Sequence, residues 1–206
     1  MLKNIYIVAA KRTPFGAFGG SLKHLTATQL GVESTKAALS AGKIDPSLID
    51  AVYFGNVIQS SNDAAYLARH VGLKVGMPIP TPALTINRLC GSGFETVILG
   101  ANAISLNQAS IVVCGGTENM SAAPLAVDGN AARWGVSLGH GMHMQDMLWC
   151  GLTDAHINTP MGVTAEHLAK SYQISRQVKK ILSCGFSVCL KLWRPYVSLC
   201  SRILCV

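Results

Sequence analysis

The sequence has few acidic residues, and they are unevenly placed. Only 10 Asp and Glu stand against 17 Lys and Arg, and no acid lies beyond Glu166. The last 29 residues, 178–206, carry five Lys or Arg, so most of the net charge of +7 belongs to them. The first 177 residues are close to neutral, which is not the pattern of a basic surface that binds nucleic acid. We therefore expect no nucleic-acid partner.

Long hydrophobic runs and paired cysteines are also missing. Half of the residues are hydrophobic, yet no apolar stretch approaches the roughly 20 residues that a membrane-spanning helix needs. No signal-peptide pattern opens the chain, and Cys90, Cys114 and Cys150 are widely spaced, so we expect reduced thiols inside a cell. The four cysteines of residues 178–206 form no C-x-x-C pair and have no ligand-spaced histidines, so no metal site is expected.

Strand and helix patterns alternate over the first 120 residues. The predicted strands are 5–10, 49–57, 82–87 and 110–114, and the predicted helices are 26–41, 64–71 and 92–106. Short, fully apolar strands that alternate with helices are typical of a parallel sheet covered on both faces, so the fold class is α/β. From Pro124 to Pro160 the pattern gives way to a long loop excursion, and a last helix is predicted near 164–172.

The helix predicted after Cys90 carries one charge, Glu95, over more than three turns. A helix that is apolar all round is buried on every side. Because the four predicted strands supply one sheet at most, another layer has to cover this helix.

Cys90 is the candidate nucleophile, since it lies between an apolar strand and the start of that helix. Unpaired N–H groups and the positive end of the helix dipole stabilise a thiolate there, and thiolate is the form that attacks. Gly91 and Gly93 leave room for a substrate carbonyl to approach backbone donors. A buried structural cysteine is the competing interpretation, because free cysteines are often core residues.

Three motifs give the chain a resemblance to the thiolases, and among them to the mitochondrial 3-ketoacyl-CoA thiolases. The first surrounds Cys90, the second is Gly115–Ser121 and the third is Pro160–Glu166; further matching stretches extend the likeness from residue 9 to about residue 176. The resemblance implies a layered αβαβα sandwich with the Cys90 helix in its middle layer. It also implies that Cys90 accepts the acyl group, that Met161 contacts coenzyme A, and that full-length members are mitochondrial homo-oligomers.

The family's cleavage of 3-ketoacyl-CoA also uses a base, a second cysteine and donors for an enolate oxygen. The resemblance places these in Gly-His-Pro, Asn-Glu-Ala-Phe and Cys-x-Gly segments of the family's C-terminal half. The first two do not occur in this sequence, and its Cys-x-Gly triplet, Cys114–Gly116, lies within the N-terminal match. No permanently bound cofactor is expected, and coenzyme A is a co-substrate. The chain is thus expected to match the N-terminal half of a thiolase and to be unable to turn over alone.

The expected organisation has three parts: an N-terminal thiolase half-domain over 1–123, part of the coenzyme A-side loop domain over 124–177, and an unrelated, disordered tail over 178–206. Two other functions stay open at this point. The chain could be a non-catalytic subunit that pairs with a full-length thiolase, or a related condensing enzyme that acts on carrier-bound acyl chains. No membrane attachment is expected, although the basic tail contains apolar residues.

Overall fold

The computed structural model of the chain describes residues 4–182 and the backbone of residues 202–205. In chain order the elements are β1 (Tyr6–Ala10), α1 (Ala27–Gly42), β2 (Ala51–Gly55), α2 (Leu67–Lys74), β3 (Ala83–Ile86), α3 (Ser92–Ser105), β4 (Ile111–Gly116), β5 (Leu125–Val127), α4 (Gly129–Trp134), β6 (Met144–Asp146), α5 (Met147–Leu152), β7 (Thr153–Asp154), β8 (Thr159–Pro160), α6 (Met161–Ser171) and β9 (Arg202–Cys205). Residues 176–182 are also helical.

The chain divides into two compact units, one of residues 1–148 with 197–206 and the other of residues 149–196. The sequence places a boundary at residue 123, whereas residues 124–148 belong to the first unit. Within residues 124–148, β5 and β6 are antiparallel partners, and the Met147 N–H donates to the Pro124 carbonyl at 3.1 Å.

Helix α1 begins where its sequence supplies a capping box. The Gln29 N–H donates to Thr26 Oγ1 at 3.1 Å, and the Thr26 N–H donates to Gln29 Oε1 at 2.8 Å. These bonds satisfy backbone donors that have no partner within the helix, so Thr26 is the N-cap residue. At the other end Lys43 takes the left-handed conformation, with φ of 50°.

The main sheet of the first unit is parallel, with strand order β1-β9-β4-β2-β3. Residues of β2 alternate between its two faces. Val52 and Phe54 are buried with helices α1 and α2, while Ala51 and Tyr53 pack with Ile104 of α3. The sheet is therefore covered by helices on both faces, as predicted for an α/β fold.

Helix α3 buries only its sheet-facing side in this chain. Thr96, Gly100 and Ile104 are buried, whereas Phe94 is 63% exposed and Ile98 is also exposed. An apolar helix with an open apolar side fits the expectation that a further layer is needed to cover it. Within the described part of the chain, no helix has both the length and the apolar character to cross a bilayer.

Part of the segment 178–206 is ordered into secondary structure. Residues 178–182 continue the helix that starts at residue 176, and β9 pairs in parallel with β1 on one side and β4 on the other. This differs from the disorder expected of the tail, because the open position between two strands supplies partners for the backbone of β9. The rest of the tail lies outside the described residues.

The second unit is small. Strands β7 and β8 pair antiparallel, and α6 follows directly at Met161, three residues before the predicted helix start. A Glu166–Lys179 ion pair, with 3.3 Å between carboxylate and ammonium, links α6 to the following helical residues.

Candidate active site

A cavity of about 700 Å³ lies in the first unit, where β2 and β4 end. Its wall includes residues of the loop that follows β1, of α1, of the end of β2 and the loop after it, of the turn and first residues of α3, and of the end of β4 with the segment that follows. In open parallel sheets, the crevice beyond the carboxyl ends of the strands is where ligands usually bind. The described residues that concern its chemistry are Arg12, Phe15, Lys23, Asn56, Val57, Cys90, Ser92, Gly93, Cys114 and Glu118.

Cys90 lies in the turn between β3 and α3 and lines this cavity. The residue is exposed. Helix α3 begins at Ser92 with Gly91 as its N-cap residue, so Cys90 stands just before the helix, as the sequence predicts. Exposure at a cavity favours a reactive thiol over the buried structural cysteine that was the competing interpretation. Its catalytic role stays a prediction.

The turn that carries Cys90 is held by a compact set of hydrogen bonds. The Arg88 N–H donates to Ser92 Oγ at 2.8 Å, and that hydroxyl donates to the Leu89 carbonyl at 2.6 Å. The Leu89 N–H donates to Asn87 Oδ1 at 3.0 Å. Leu89 has φ of 48°, a left-handed conformation that costs a branched residue energy and often marks a functional turn.

Two glycines let α3 begin directly on the sheet. Gly55 of β2 and Gly116 of β4 are paired in register at the ends of their strands. A Cβ on Gly55 would stand 2.8 Å from the Ser92 carbonyl carbon and Cβ, and one on Gly116 would stand 3.4 Å from Gly93 Cα. A Cβ on Gly93, by contrast, would meet no atom within 4 Å. Gly55 is therefore needed for packing, whereas Gly93 leaves space open at the cavity.

Glu118 joins the segment after β4 to the loop after β2. Its carboxylate accepts from the Val57 N–H at 2.9 Å, from the Ile58 N–H at 3.3 Å and from Asn56 Nδ2 at 3.0 Å. Burial raises the pKa of Glu118, and these hydrogen bonds oppose the rise without cancelling it. Sequence reasoning did not single out this carboxylate, although it lies in the motif Gly115–Ser121 that carries part of the family resemblance.

The same segment also fixes the loop that follows β1. Asn119 Nδ2 donates to the carbonyls of Lys23 and Leu25, at 3.0 and 2.7 Å, and the Gly19 N–H donates to Ser121 Oγ at 2.9 Å. Bonds between residues about 100 positions apart leave no local pattern in a sequence. The glycine pair of this motif, Gly115 and Gly116, completes β4.

The cavity wall offers little acid–base chemistry. Among the described residues that line it, the titratable side chains are Arg12, Lys23, Cys90, Cys114 and Glu118, with no histidine. The Arg12 guanidinium lies over the Phe15 ring, 4.9 Å from its centroid. Among the described residues the wall thus provides two thiols, two cationic groups and the Glu118 carboxylate, which already accepts hydrogen bonds from residues 56–58.

Met161 belongs to the other unit, where it is the first residue of α6 and is 42% exposed. His140, His143 and His156 are exposed, and the described residues contain no cluster of side chains suited to a metal ion. Contact between Met161 and coenzyme A stays a prediction.

Comparison with known proteins identifies the family of the chain. Residues 5–180 match the family model described as "Thiolase, N-terminal domain". The chain belongs to the thiolase family. It is 55% identical over 177 residues to the mitochondrial 3-ketoacyl-CoA thiolase of Homo sapiens. This alignment covers 86% of this chain and 44% of the human protein. It is 40% identical over 184 residues to an acetyl-CoA acetyltransferase of Cupriavidus necator, covering 89% of this chain and 46% of that enzyme.

The fold agrees with solved thiolases. A crystal structure of human mitochondrial 3-ketoacyl-CoA thiolase in complex with CoA matches with a TM-score of 0.82 and 55% identity, over 86% of this chain and 44% of that one. The chain therefore has the fold of the N-terminal part of a thiolase, as the resemblance implied. It spans less than half the length of these relatives, so the activity of a whole thiolase is a matter of proposal for this chain.

Proposed function

We propose that this chain performs the acyl-accepting step of a 3-ketoacyl-CoA thiolase through Cys90, in fatty-acid β-oxidation. The observation that carries the proposal is the placement of Cys90: an exposed thiol on a left-handed turn, facing a cavity at the carboxyl ends of the sheet. Membership of the thiolase family supports it.

The chemistry follows from covalent catalysis by a thiolate. Cys90 Sγ attacks the 3-keto carbon of the substrate, forming a C–S bond. The C2–C3 bond then breaks, its electron pair goes to the acetyl-CoA fragment as an enolate, and a proton at C2 completes acetyl-CoA. The thiol of a second coenzyme A attacks the Cys90 thioester, takes the shortened acyl group and returns the cysteine.

Turnover requires groups that the described cavity wall does not supply. A base for the thiol, an acid for the enolate and donors for its oxygen are all needed, and no histidine lines the described wall. Because the acid and the oxygen donors act in the step that cleaves the C2–C3 bond, we propose that this chain forms the acyl-cysteine slowly, at most once per chain, and does not cycle by itself.

Mixing the purified chain with 3-ketoacyl-CoA and coenzyme A tests this. We expect at most one equivalent of acetyl-CoA per chain, abolished by Cys90→Ala and unaffected by Cys150→Ala, a second exposed cysteine. Rapid multiple turnover that requires Cys90 would contradict the proposed incompleteness. Acetyl-CoA release that survives Cys90→Ala would contradict the role of Cys90.

Met161 is proposed to contact the pantetheine arm of coenzyme A. Its exposed thioether side chain offers an adaptable apolar surface at the start of α6. Met161→Ser should weaken coenzyme A binding in equilibrium titration, whereas Met142→Ser, at another exposed methionine, should not. Equal affinities for both variants and the wild type would contradict the contact.

A mitochondrial location is proposed because several relatives at 54–56% identity are mitochondrial 3-ketoacyl-CoA thiolases. Fractionation of cells that express the epitope-tagged chain tests it. Recovery of the chain in the cytosolic fraction alone would contradict the proposal.

A non-catalytic role is the second candidate, and the open apolar side of α3 favours it. Phe94 and Ile98 are exposed on this helix, and Leu84 is exposed on β3, an edge strand of the sheet. Such surface is typical of a face that pairs with another subunit. Co-expression with a full-length thiolase followed by size-exclusion chromatography should give a mixed oligomer that Phe94→Asp weakens. Complete separation of the two chains would dismiss this role.

A further inference from the structure

We propose that Ser92 is a positioning residue for Cys90, whose hydroxyl holds the preceding turn in the left-handed conformation that presents the thiol to the cavity. This inference rests on the proposed function, since it assigns a task to a neighbour of the proposed nucleophile. Ser92 itself need not touch the substrate, because it acts on the backbone that carries Cys90.

The first support is the pair of bonds that the hydroxyl makes. Ser92 Oγ accepts from the Arg88 N–H at 2.8 Å and donates to the Leu89 carbonyl at 2.6 Å. A serine at the start of a helix ordinarily bonds forward, to N–H groups of the first turn. Ser92 bonds backward instead, to both residues that precede Cys90, so its side chain stabilises the turn rather than the helix.

The second support is the strain at Leu89. A φ of 48° is unfavourable for a leucine, and such conformations persist only where the surroundings compensate for them. Packing of its side chain supplies little compensation, because Leu89 is 59% exposed. Compensation comes from its backbone: the carbonyl accepts from both the Ser92 N–H, at 3.0 Å, and the Ser92 hydroxyl, and the N–H donates to Asn87 Oδ1.

The third support is that Ser92 is held in place by close packing against the sheet. Only 5% of the residue is exposed, and it stands so close to Gly55 of β2 that a Cβ there would lie 2.8 Å from its own Cβ. The hydroxyl is thus anchored to the end of a central strand. Because the hydroxyl donates to the Leu89 carbonyl, it fixes the orientation of the peptide that joins Leu89 to Cys90.

The inference predicts what happens when the hydroxyl is removed. In Ser92→Ala the Leu89 carbonyl keeps one of its two bonds and the Arg88 N–H loses its partner, so Leu89 can relax to negative φ and rotate the Cys90 peptide. Glycine at position 89 adopts positive φ without that cost, so Leu89→Gly should remove much of the need for the hydroxyl.

The experiment measures alkylation of Cys90 by iodoacetamide in the soluble 206-residue chain, with mass-spectrometric quantification of the Cys90 and Cys150 peptides between pH 6 and 9. The variants are Ser92→Ala, Leu89→Gly and their combination. The control is Thr35→Val, which removes a buried hydroxyl that donates to the Gly31 carbonyl at 2.6 Å within α1. Far-ultraviolet circular dichroism reports the folding of each variant.

We expect Ser92→Ala to slow Cys90 alkylation about tenfold at pH 7 and to move its pH profile to higher pH, with Cys150 unchanged. Thr35→Val should leave the profile in place, and the double variant should recover to within about threefold of wild type. If Ser92→Ala fails to fold, folding of the double variant supports the inference and its failure to fold contradicts it.

Two results separate this inference from the proposed function. If wild-type Cys90 reacts no faster than Cys150, the proposed function fails and the positioning role fails with it. If wild-type Cys90 is fast and Ser92→Ala is equally fast, or if the double variant stays as slow as Ser92→Ala, the positioning role alone is wrong.

Discussion

Gly55→Ala tests whether the start of α3 is seated directly on the sheet. The added methyl group would stand 2.8 Å from the Ser92 carbonyl carbon and from Ser92 Cβ, and 3.0 Å from the Gly93 nitrogen. Two of these three atoms are backbone atoms, so no side chain can rotate to make room. The variant therefore forces the helix start, and the turn that carries Cys90, away from β2.

The magnitude follows from the contact distances. Overpacking a well-packed site costs about 1–3 kcal/mol, and a clash with the peptide that joins Ser92 to Gly93 places Gly55→Ala near the upper value, at about 3 kcal/mol. For a chain of this size, each kcal/mol changes the melting temperature by roughly 2–4 °C, so we expect a fall of about 6–12 °C.

Gly72→Ala is the matched control. It is also a buried glycine of the first unit, but its added Cβ would meet Met77 Sδ and Val52 Cγ2 at 3.4 Å, an ordinary contact. Because alanine favours the helix more than glycine does, this variant should melt at or slightly above the wild-type temperature. Thermal unfolding followed by circular dichroism compares the two. A Gly55→Ala melting temperature equal to that of Gly72→Ala would refute the reasoning.

Three further predictions concern the cavity, its buried carboxyl group and the end of the chain. Gly93→Ala places its methyl group in open space at the cavity, so it should leave the melting temperature unchanged but slow acylation of Cys90 by 3-ketoacyl-CoA about tenfold; an unchanged acylation rate would contradict this. Because the pKa of Glu118 is raised, its contribution to stability is present below its unfolded value of about 4.3 and is lost as the pH rises through the folded value. Urea unfolding at pH 4 to 8 should therefore show a steeper loss of stability for wild type than for Glu118→Gln, and parallel curves would argue against it. Deleting residues 202–206 removes the pairing partner of both β1 and β4, so the deleted chain should melt lower and aggregate more readily in light scattering; identical behaviour would show that β9 does not stabilise the sheet.

The sequence predicts the elements whose patterns are local. The bounds of strands β1 to β4 and of helix α3 lie within two residues of the predicted bounds. Apolar runs mark these elements in the sequence, and glycines mark several of their ends. Cys90 lies just ahead of a helix, as its pattern indicates, and it is exposed at a cavity, which the local pattern left open. The matches to solved thiolases confirm the predicted fold.

The remaining features depend on contacts between distant positions. The Glu118 carboxylate binds backbone groups about 60 residues away, and Asn119 binds carbonyls more than 90 residues away. Leu89 takes a left-handed conformation, which a leucine in the sequence does not predict. Strand β9 exists because β1 and β4 leave a position between them, which no pattern within residues 202–205 can show.

The central claim is that Cys90 is the acyl acceptor, and peptide mapping after a single addition of 3-ketoacyl-CoA without free coenzyme A tests it most directly. The account predicts an acyl thioester on the Cys90 peptide, with release of acetyl-CoA in equal amount. An acyl group on Cys150 alone, or no adduct on any cysteine of the folded chain, would contradict it.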